Sequence, residues 1–239
     1  MREIFVRDED GEAVRIEVNL EAKEHMEFKP YILSVFIKYD SFNDKEEGLD
    51  EFFETKESLI IELELNEKTT YVGNRLVGEW SEVYFYSQES KGLEAQVAKI
   101  LKPTKYMYEA NVVKDATWEF FDFNIFPNDL ELCLMQSKKI VEHMLDEGDM
   151  IEIVREVEHY ASFETPTQKQ RFIDNAMDNG FTFKADIEDE EISHGVALIK
   201  EHSLNLEELL KIVTQIHGLV KQENGEYELW STTLEDEND

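Results

Sequence analysis

The stretch Arg155–Ile187, REVEHYASFETPTQKQRFIDNAMDNGFTFKADI, decides the fold. Polar and apolar residues alternate around its start, which predicts a strand over residues 151–163. Thr165 then stands at a helix N-cap, with Pro166 at the first helical position and a glutamine three residues after the cap. Gly180 marks the end of this helix, and the residues after it are typical of a second strand. The stretch therefore predicts a strand, a helix and a strand in succession.

The residues that follow complete a larger unit. They predict a strand over 192–200, a helix capped by Asn205 with Glu208 at its third position, a strand over 227–234 and a solvated acidic tail over 235–239. The order strand, helix, strand, strand, helix, strand is the split βαβ unit, in which two helices cover one face of an antiparallel sheet. We therefore expect a ferredoxin-like domain here.

The first half of the chain predicts the same order after an N-terminal hairpin that turns at Asp10-Gly11. The expected hairpin strands are 4–6 and 14–18, followed by strand 30–39, helix 49–65, strands 69–75 and 79–87, a helix ending before Pro103, and strands 105–113 and 118–126. A helix from Pro127 to about Glu147, ended by Gly148-Asp149, would connect the halves. The sequence thus predicts an α+β protein with two ferredoxin-like domains, 1–148 and 149–239.

Charge limits the classes of partner. The 239 residues include 55 acids and 24 bases, for a net charge of −31. Such a charge repels nucleic acid and favours basic protein partners. No stretch approaches the roughly 20 apolar residues of a membrane span. Cys133, the single cysteine, lies in an apolar run and is expected to be a buried thiol, which fits the cytoplasm.

Catalytic and metal-binding patterns are weak. His143 and Glu147 lie four residues apart on one predicted helix, but no second pair completes a metal site. His194, His202 and His217 are scattered, and the acidic run 186–191 lacks the ligand spacing of a calcium loop. The glycines form neither a phosphate loop nor a dinucleotide fingerprint. The sequence predicts no catalytic residue, metal or cofactor.

The outer face of the second sheet is the more informative feature. Strand alternation predicts that Phe181, Phe183, Ala185 and Ile187 face the helices, while Thr182, Lys184 and Asp186 face away. Aromatics on an open sheet face can stack RNA bases, but residues 151–239 carry seven bases against 21 acids, which favours protein binding. The alternative is that the two outer aromatics pack against the first domain. The candidate partner-binding residues are Tyr160, Trp230, Glu158, Lys184 and Thr232.

Three further residues are predicted to be structural or to lie between the domains. They are His159, which alternates with apolar neighbours, Arg155 and Trp118. A hydrogen-bonded core histidine is favoured over a catalytic base at His159.

Two family resemblances rest on particular segments. The C-terminal part, roughly residues 151–235, resembles the regulator of ribonuclease E activity B family; the segments that carry this are 155–159, 172–176 leading to Gly180-Phe181, and 227–232. The first part resembles the uncharacterised bacterial domain family often found in front of it, on Tyr84-Phe85-Tyr86, Asp115, Trp118, Pro127 and Gly148-Asp149 followed by Arg155 and His159. The first resemblance implies a ferredoxin-like fold and a protein that binds and restrains an RNA-degrading endonuclease.

Together these patterns predict a non-enzymatic acidic binding protein that modulates a protein partner. The partner would have a basic surface and could be an RNA-processing enzyme. The alternative is a hydrolytic or metal-dependent enzyme with a carboxylate site in the groove between the domains, since two acids suffice for such chemistry. A structural or self-associating role is a third possibility. Oligomeric state is left open.

Overall fold

The computed structural model describes residues 1–39, 46–188 and 194–235. It is an α+β protein, as the sequence predicts, with antiparallel strand pairing in both of its sheets. The chain forms two compact units, Met1–Pro127 and Asn128–Asp239. Within the described ranges no helix is both long and apolar enough to cross a membrane.

The first unit contains a six-stranded sheet. Its elements are β1 (Arg2–Glu9), β2 (Glu12–Asn19), a 3-10 helix (Leu20–His25), β3 (Tyr31–Lys38), α1 (Glu46–Glu64), β4 (Thr69–Val77), β5 (Trp80–Ser87), α2 (Leu93–Leu101) and β6 (Tyr108–Lys114). The strand order is β1-β2-β4-β5-β3-β6. Helices α1 and α2 bury Phe52, Leu59 and Val97 against inward residues of β3 and β5. The N-terminal hairpin extends the sheet at β4.

The predicted strand at 118–126 is wrong. This segment is helical, and residues Phe121–Ile125 form a short π-helix. The Asp115 carboxylate accepts hydrogen bonds from the backbone N–H groups of Glu119 and Phe120 at 3.1 and 3.0 Å, which caps the turn as an N-cap side chain does. Aromatic residues there resemble a strand in composition, but this local capping bond decides the conformation.

The second unit contains a four-stranded sheet and three helices. Its elements are α3 (Asp129–Asp146), β7 (Arg155–Ser162), α4 (Pro166–Asp178), β8 (Thr182–Ile187), β9 (Gly195–His202), α5 (Leu206–Gln222) and β10 (Glu226–Ser231), with strand order β10-β7-β9-β8. Thr165 caps α4 by accepting from the N–H of Gln168. The start of the predicted strand at 192 and most of the predicted acidic tail lie outside the described residues.

Helix α3 belongs to the second unit. Asn128 caps it in a reciprocal capping box with Glu131, and Lys221 of α5 donates to Asp129 at 2.8 Å. Its side chains Cys133, Val141 and Met144 join the core of that unit. The boundary between the compact units therefore lies between residues 127 and 128 of the chain. The sequence suggested a boundary after Gly148, because the helix ends there. A stop signal marks the end of an element and carries no information about which core the element joins.

Candidate functional site

The second sheet has one face covered by helices. Three hydrogen bonds between strands and helices show this. Trp230 of β10 donates to Ser137 of α3 at 2.9 Å, and Lys200 of β9 donates to Gln215 of α5 at 3.2 Å. On β8, Asp186 accepts from Lys169 of α4 at 2.8 Å. Residues that pair across an antiparallel sheet share a face. The strand register therefore shows which residues lie on the helix-covered face and which lie on the opposite face of the sheet, called here the open face.

The open face has an apolar centre and an acidic surround. Half-buried Tyr160, Ile199 and Leu229 lie on neighbouring strands, next to buried Ala197. Among the described strand residues of this face there are five glutamates and one lysine, Lys184. The glutamates are Glu156, Glu158, Glu201, Glu226 and Glu228. An apolar patch inside a polar rim has the composition of a protein interface.

Tyr160 is fixed at the centre of this face by hydrogen bonds. Its hydroxyl donates to Glu158 at 3.0 Å and lies 2.8 Å from the Ser231 hydroxyl. Lys184 forms an ion pair with Glu158 and lies 3.6 Å from Glu156. The hydrogen bond from Lys184 lowers the pKa of Glu158, and the same contact raises the pKa of the lysine. The aromatic ring is therefore presented in a defined position, with a charged carboxylate beside it.

Trp230 does not belong to the open face, and this part of the prediction is wrong. It is 4% exposed and lies in the core of the second unit. The register between β10 and β7 shifts between Tyr227 and Leu229, where the backbone of Leu229 has φ 134°. The extra residue in this bulge reverses the alternation, so Trp230 faces the helices and Leu229 faces outward.

A second bulge changes the faces of β8. Lys184 faces outward as predicted, but the register shifts between Phe183 and Ala185. Ala185 then pairs with Ala197 and lies on the open face, while Asp186 contacts the helix side. The predicted faces of Ala185, Ile187 and Asp186 are therefore wrong. Neither bulge follows from the hydrophobic pattern, because a bulge residue need not differ in type from its neighbours.

Thr232 lies just after β10 and stabilises its end. Its hydroxyl donates to the backbone carbonyl of Glu156 at 2.7 Å. The apolar centre formed by Ile199 and Leu229 was missed at the sequence level. No sequence signal marked Ile199, because its place opposite Glu158 follows only from the strand register.

On the helix side, a chain of hydrogen bonds joins three strands. His159 of β7 lies 2.8 Å from the Tyr227 hydroxyl through Nδ1 and 3.4 Å from Nε2 of His202 through its own Nε2. Nδ1 of His202 lies 2.6 Å from the carbonyl of Ser203, which can only accept. In the neutral chain His202 therefore donates to Ser203, His159 donates to His202, and Tyr227 donates to His159.

This histidine pair is buried. Both imidazoles are 1% exposed, and burial lowers the pKa of His159 to about 3. Burial also lowers the pKa of His202, against an opposing effect of its bond to Ser203 and of Glu208. Cationic Lys200 contributes to lowering both values. The pair is thus neutral at physiological pH and links β10, β7 and β9 structurally.

Arg155 forms a buried ion pair with Asp149 at 2.6 Å. Its guanidinium also donates to the backbone carbonyls of Met150 and Thr233, at 2.6 and 3.2 Å. The Asp149 carboxylate accepts from the backbone N–H of Glu235 at 2.9 Å. The pair therefore fastens the chain after β10 to the loop that precedes β7.

Trp118 is buried in the first unit at 1% exposure, with a positive φ of 61°. Its indole N–H donates to the carbonyl of Lys29 at 2.9 Å, and its ring stacks on Tyr86 with centroids 3.9 Å apart. It anchors the helical turn on the sheet.

His143 and Glu147 line a small cavity of about 280 Å³ beside β10, with Met144, Trp230 and Leu234 among its other walls. In the part of the chain that the structure describes, no group of three or more His, Cys, Asp or Glu side chains is placed to hold a metal ion. Cys133 is buried, and burial raises the pKa of its thiol.

The fold and the open face define the class of this protein. It is an acidic α+β protein with two sheet units, and the second unit presents an apolar centre among carboxylates. The family model described as "Family of unknown function (DUF695)" matches residues 3–124, more than half of the chain, and the chain belongs to that family. The model described as "Regulator of ribonuclease activity B" matches residues 134–232. Both resemblances predicted from the sequence are confirmed.

A "Crystal Structure of an Unknown Protein from Galdieria sulphuraria" is similar at 8% identity, over 86% of this chain and 99% of that one, with a TM-score of 0.21. Comparison with curated proteins gives no match.

Proposed function

We propose that this protein is a non-enzymatic modulator that binds a protein partner through the open face of its second sheet. The observation that carries the proposal is the half-buried apolar centre of Tyr160, Ile199 and Leu229 within a rim of five glutamates and one lysine. Burying such a centre supplies affinity, while the rim selects a partner with a basic surface.

An RNA-processing enzyme is the partner class we favour. The support is the match of the second unit to a family described as a regulator of ribonuclease activity. The charge of −31 disfavours direct contact with RNA and accelerates encounter with a basic protein. The partner, in this proposal, is the nuclease protein itself and not its substrate.

We also propose that each unit is a ferredoxin-like domain. Strands β3 to β6 of the first sheet have the order β6-β3-β5-β4, and the second sheet has the order β10-β7-β9-β8. In each set of four, the strand that comes first in the chain lies between the fourth and the third, and this supports the assignment. A cytoplasmic location is part of the proposal and is supported by the lone buried thiol of Cys133.

A charge-matched pair of variants tests the proposed face. Ile199→Lys places a cation in the centre of the open face, whereas Met177→Lys adds the same charge on α4, where Met177 is 53% exposed. Tagged wild type and both variants would be used as baits in extract from the source cell. The captured proteins would be washed at low and then at about 0.15 M salt, which screens weak surface attraction.

The proposal predicts a stoichiometric basic partner that survives the wash with wild type and Met177→Lys, and is lost with Ile199→Lys. Equal loss with both variants would mean that net charge alone retains the proteins. Capture that is unaffected by Ile199→Lys would exclude the open face. Circular dichroism and thermal melting of each variant confirm that the fold is intact.

A further inference from the structure

The two sheets have four edge strands among the described residues, and three of them are protected against pairing. β8 and β10 each contain a bulge, and β1 carries a charged side chain at five of its eight positions. The fourth, β6, pairs with β3 in unbroken register. Its residues 110–113 are uncharged. Proteins usually blunt exposed edges with bulges and charges, so β6 is the exception.

The free side of β6 has a defined set of backbone groups. Lys38 donates to the carbonyl of Met107, and Asp115 donates to the carbonyl of Pro30, both at 2.9 Å. In an antiparallel pair the bonded positions alternate, so residues 107, 109, 111, 113 and 115 bond to β3. The N–H and C=O groups of Ala110 and Val112 therefore point away from β3, where no described strand pairs with them.

An apolar ledge lies beside this edge. A cavity of about 530 Å³ is lined by Ile32, Val113, Phe120 and Phe123, among others. Val113 is 48% exposed and Phe123 is 78% exposed. The Phe120 ring is held against Tyr84, with centroids 4.7 Å apart. Alternate side chains of an extended ligand paired with β6 would point to the face on which this ledge lies.

We propose that the β6 edge binds an extended, basic and apolar segment of a protein partner by strand addition. Backbone bonds to Ala110 and Val112 would supply the pairing, and the ledge at Val113 and Phe123 would take alternate apolar side chains. A second copy of this chain fits less well, because two molecules of charge −31 repel each other. This surface belongs to the first unit and is independent of the open face of the second.

The test uses the intact, ¹⁵N-labelled protein and a synthetic peptide, acetyl-Lys-Val-Lys-Val-Lys-Val-amide. The matched control peptide has the same side chains but N-methyl groups on every backbone nitrogen, so neither edge of its strand can donate a backbone hydrogen bond. Amide hydrogen exchange is followed residue by residue as the peptide is added to about 1 mM, the range of a weak complex.

We expect the amides of Ala110 and Val112 to gain at least about twofold protection from exchange with the plain peptide, the factor 1 + [L]/Kd for a Kd of about 1 mM, and none with the methylated one. Phe123→Ser should weaken peptide binding about five- to tenfold. Phe28→Ser is the matched control, because Phe28 is equally exposed at 80% in the same unit and should leave binding unchanged.

Three results would overturn the proposal. They are no protection at Ala110 and Val112 with the plain peptide, equal binding of the methylated peptide, and equal effects of the two phenylalanine variants. The Ile199→Lys variant should still bind the peptide, so failure here is distinguishable from failure of the open-face proposal.

Discussion

Acid should selectively destabilise the second unit, because its buried histidine chain is complete only when neutral. Protonating His202 puts two N–H groups face to face at the 3.4 Å contact between its Nε2 and Nε2 of His159. Protonating His159 puts an N–H at Nδ1 against the Tyr227 hydroxyl, which can then no longer donate to it. Nearby Lys200 also opposes a positive charge on both rings. Since Tyr227, His159 and His202 lie on three neighbouring strands, the chain spans most of the sheet.

The sign and size of the change in the free energy of unfolding with pH follow from proton linkage. The pKa of His159 falls from about 6.5 in the unfolded chain to about 3 in the folded one. A folded-state pKa below the unfolded value gives stability that is full above pH 6.5 and is lost as the pH falls toward 3. Each pH unit in this window costs about 1.4 kcal/mol, so the ceiling is about 5 kcal/mol. His202 acts in the same direction.

The comparison that isolates this effect is His159→Gln, which removes the titrating group while the carboxylates stay. Urea unfolding would be followed by fluorine NMR of 5-fluorotryptophan protein, in which Trp230 reports the second unit and Trp80 and Trp118 report the first. Between pH 6 and 4 the free energy of unfolding at Trp230 should fall more steeply in wild type, by about 1.4 kcal/mol per pH unit. Equal dependence of the free energy of unfolding on pH in wild type and variant would show that His159 does not cause the acid sensitivity.

Three further substitutions have effects set by burial. Trp230→Ala should cost about 3–5 kcal/mol in the second unit, measured by the same unfolding experiment, because it empties a fully packed core position. Arg155→Met should cost about 3–5 kcal/mol by leaving Asp149 charged and uncompensated, and adding Asp149→Leu should recover most of the loss in melting temperature. Gly73→Ala should lower the melting temperature of the first unit, since the new Cβ would lie 2.7 Å from the carbonyl oxygen of Glu17. An unchanged melting temperature for any of these variants would contradict the packing or the ion pair described for that residue.

The sequence predicted the element order well because its signals are local. The cap at Thr165, the stop at Gly180 and the turn at Asp10-Gly11 each act within a few residues. The helical turn after Asp115 was mistaken for a strand because its aromatic residues share the composition of strands, while a single carboxylate fixes the conformation.

Site residues were predicted less well for a geometric reason. Alternation assigns faces correctly only as far as the first bulge, and bulges at residues 183–185 and 227–229 reversed the faces of Ala185, Asp186 and Trp230. Tyr160 lies on the unbulged strand β7 and was placed on the open face correctly. The pairing of His159 with His202 depends on cross-strand register, which a single sequence does not contain.

The proposed binding of a basic protein partner by the open face of the second sheet can be measured directly. The most direct measurement is titration calorimetry of the captured partner, purified, against wild type, Ile199→Lys and Met177→Lys at about 0.15 M salt. We expect Ile199→Lys to raise the dissociation constant at least about tenfold, or 1.4 kcal/mol, and Met177→Lys to change it less than about threefold. Equal dissociation constants for Ile199→Lys and wild type would contradict the proposal.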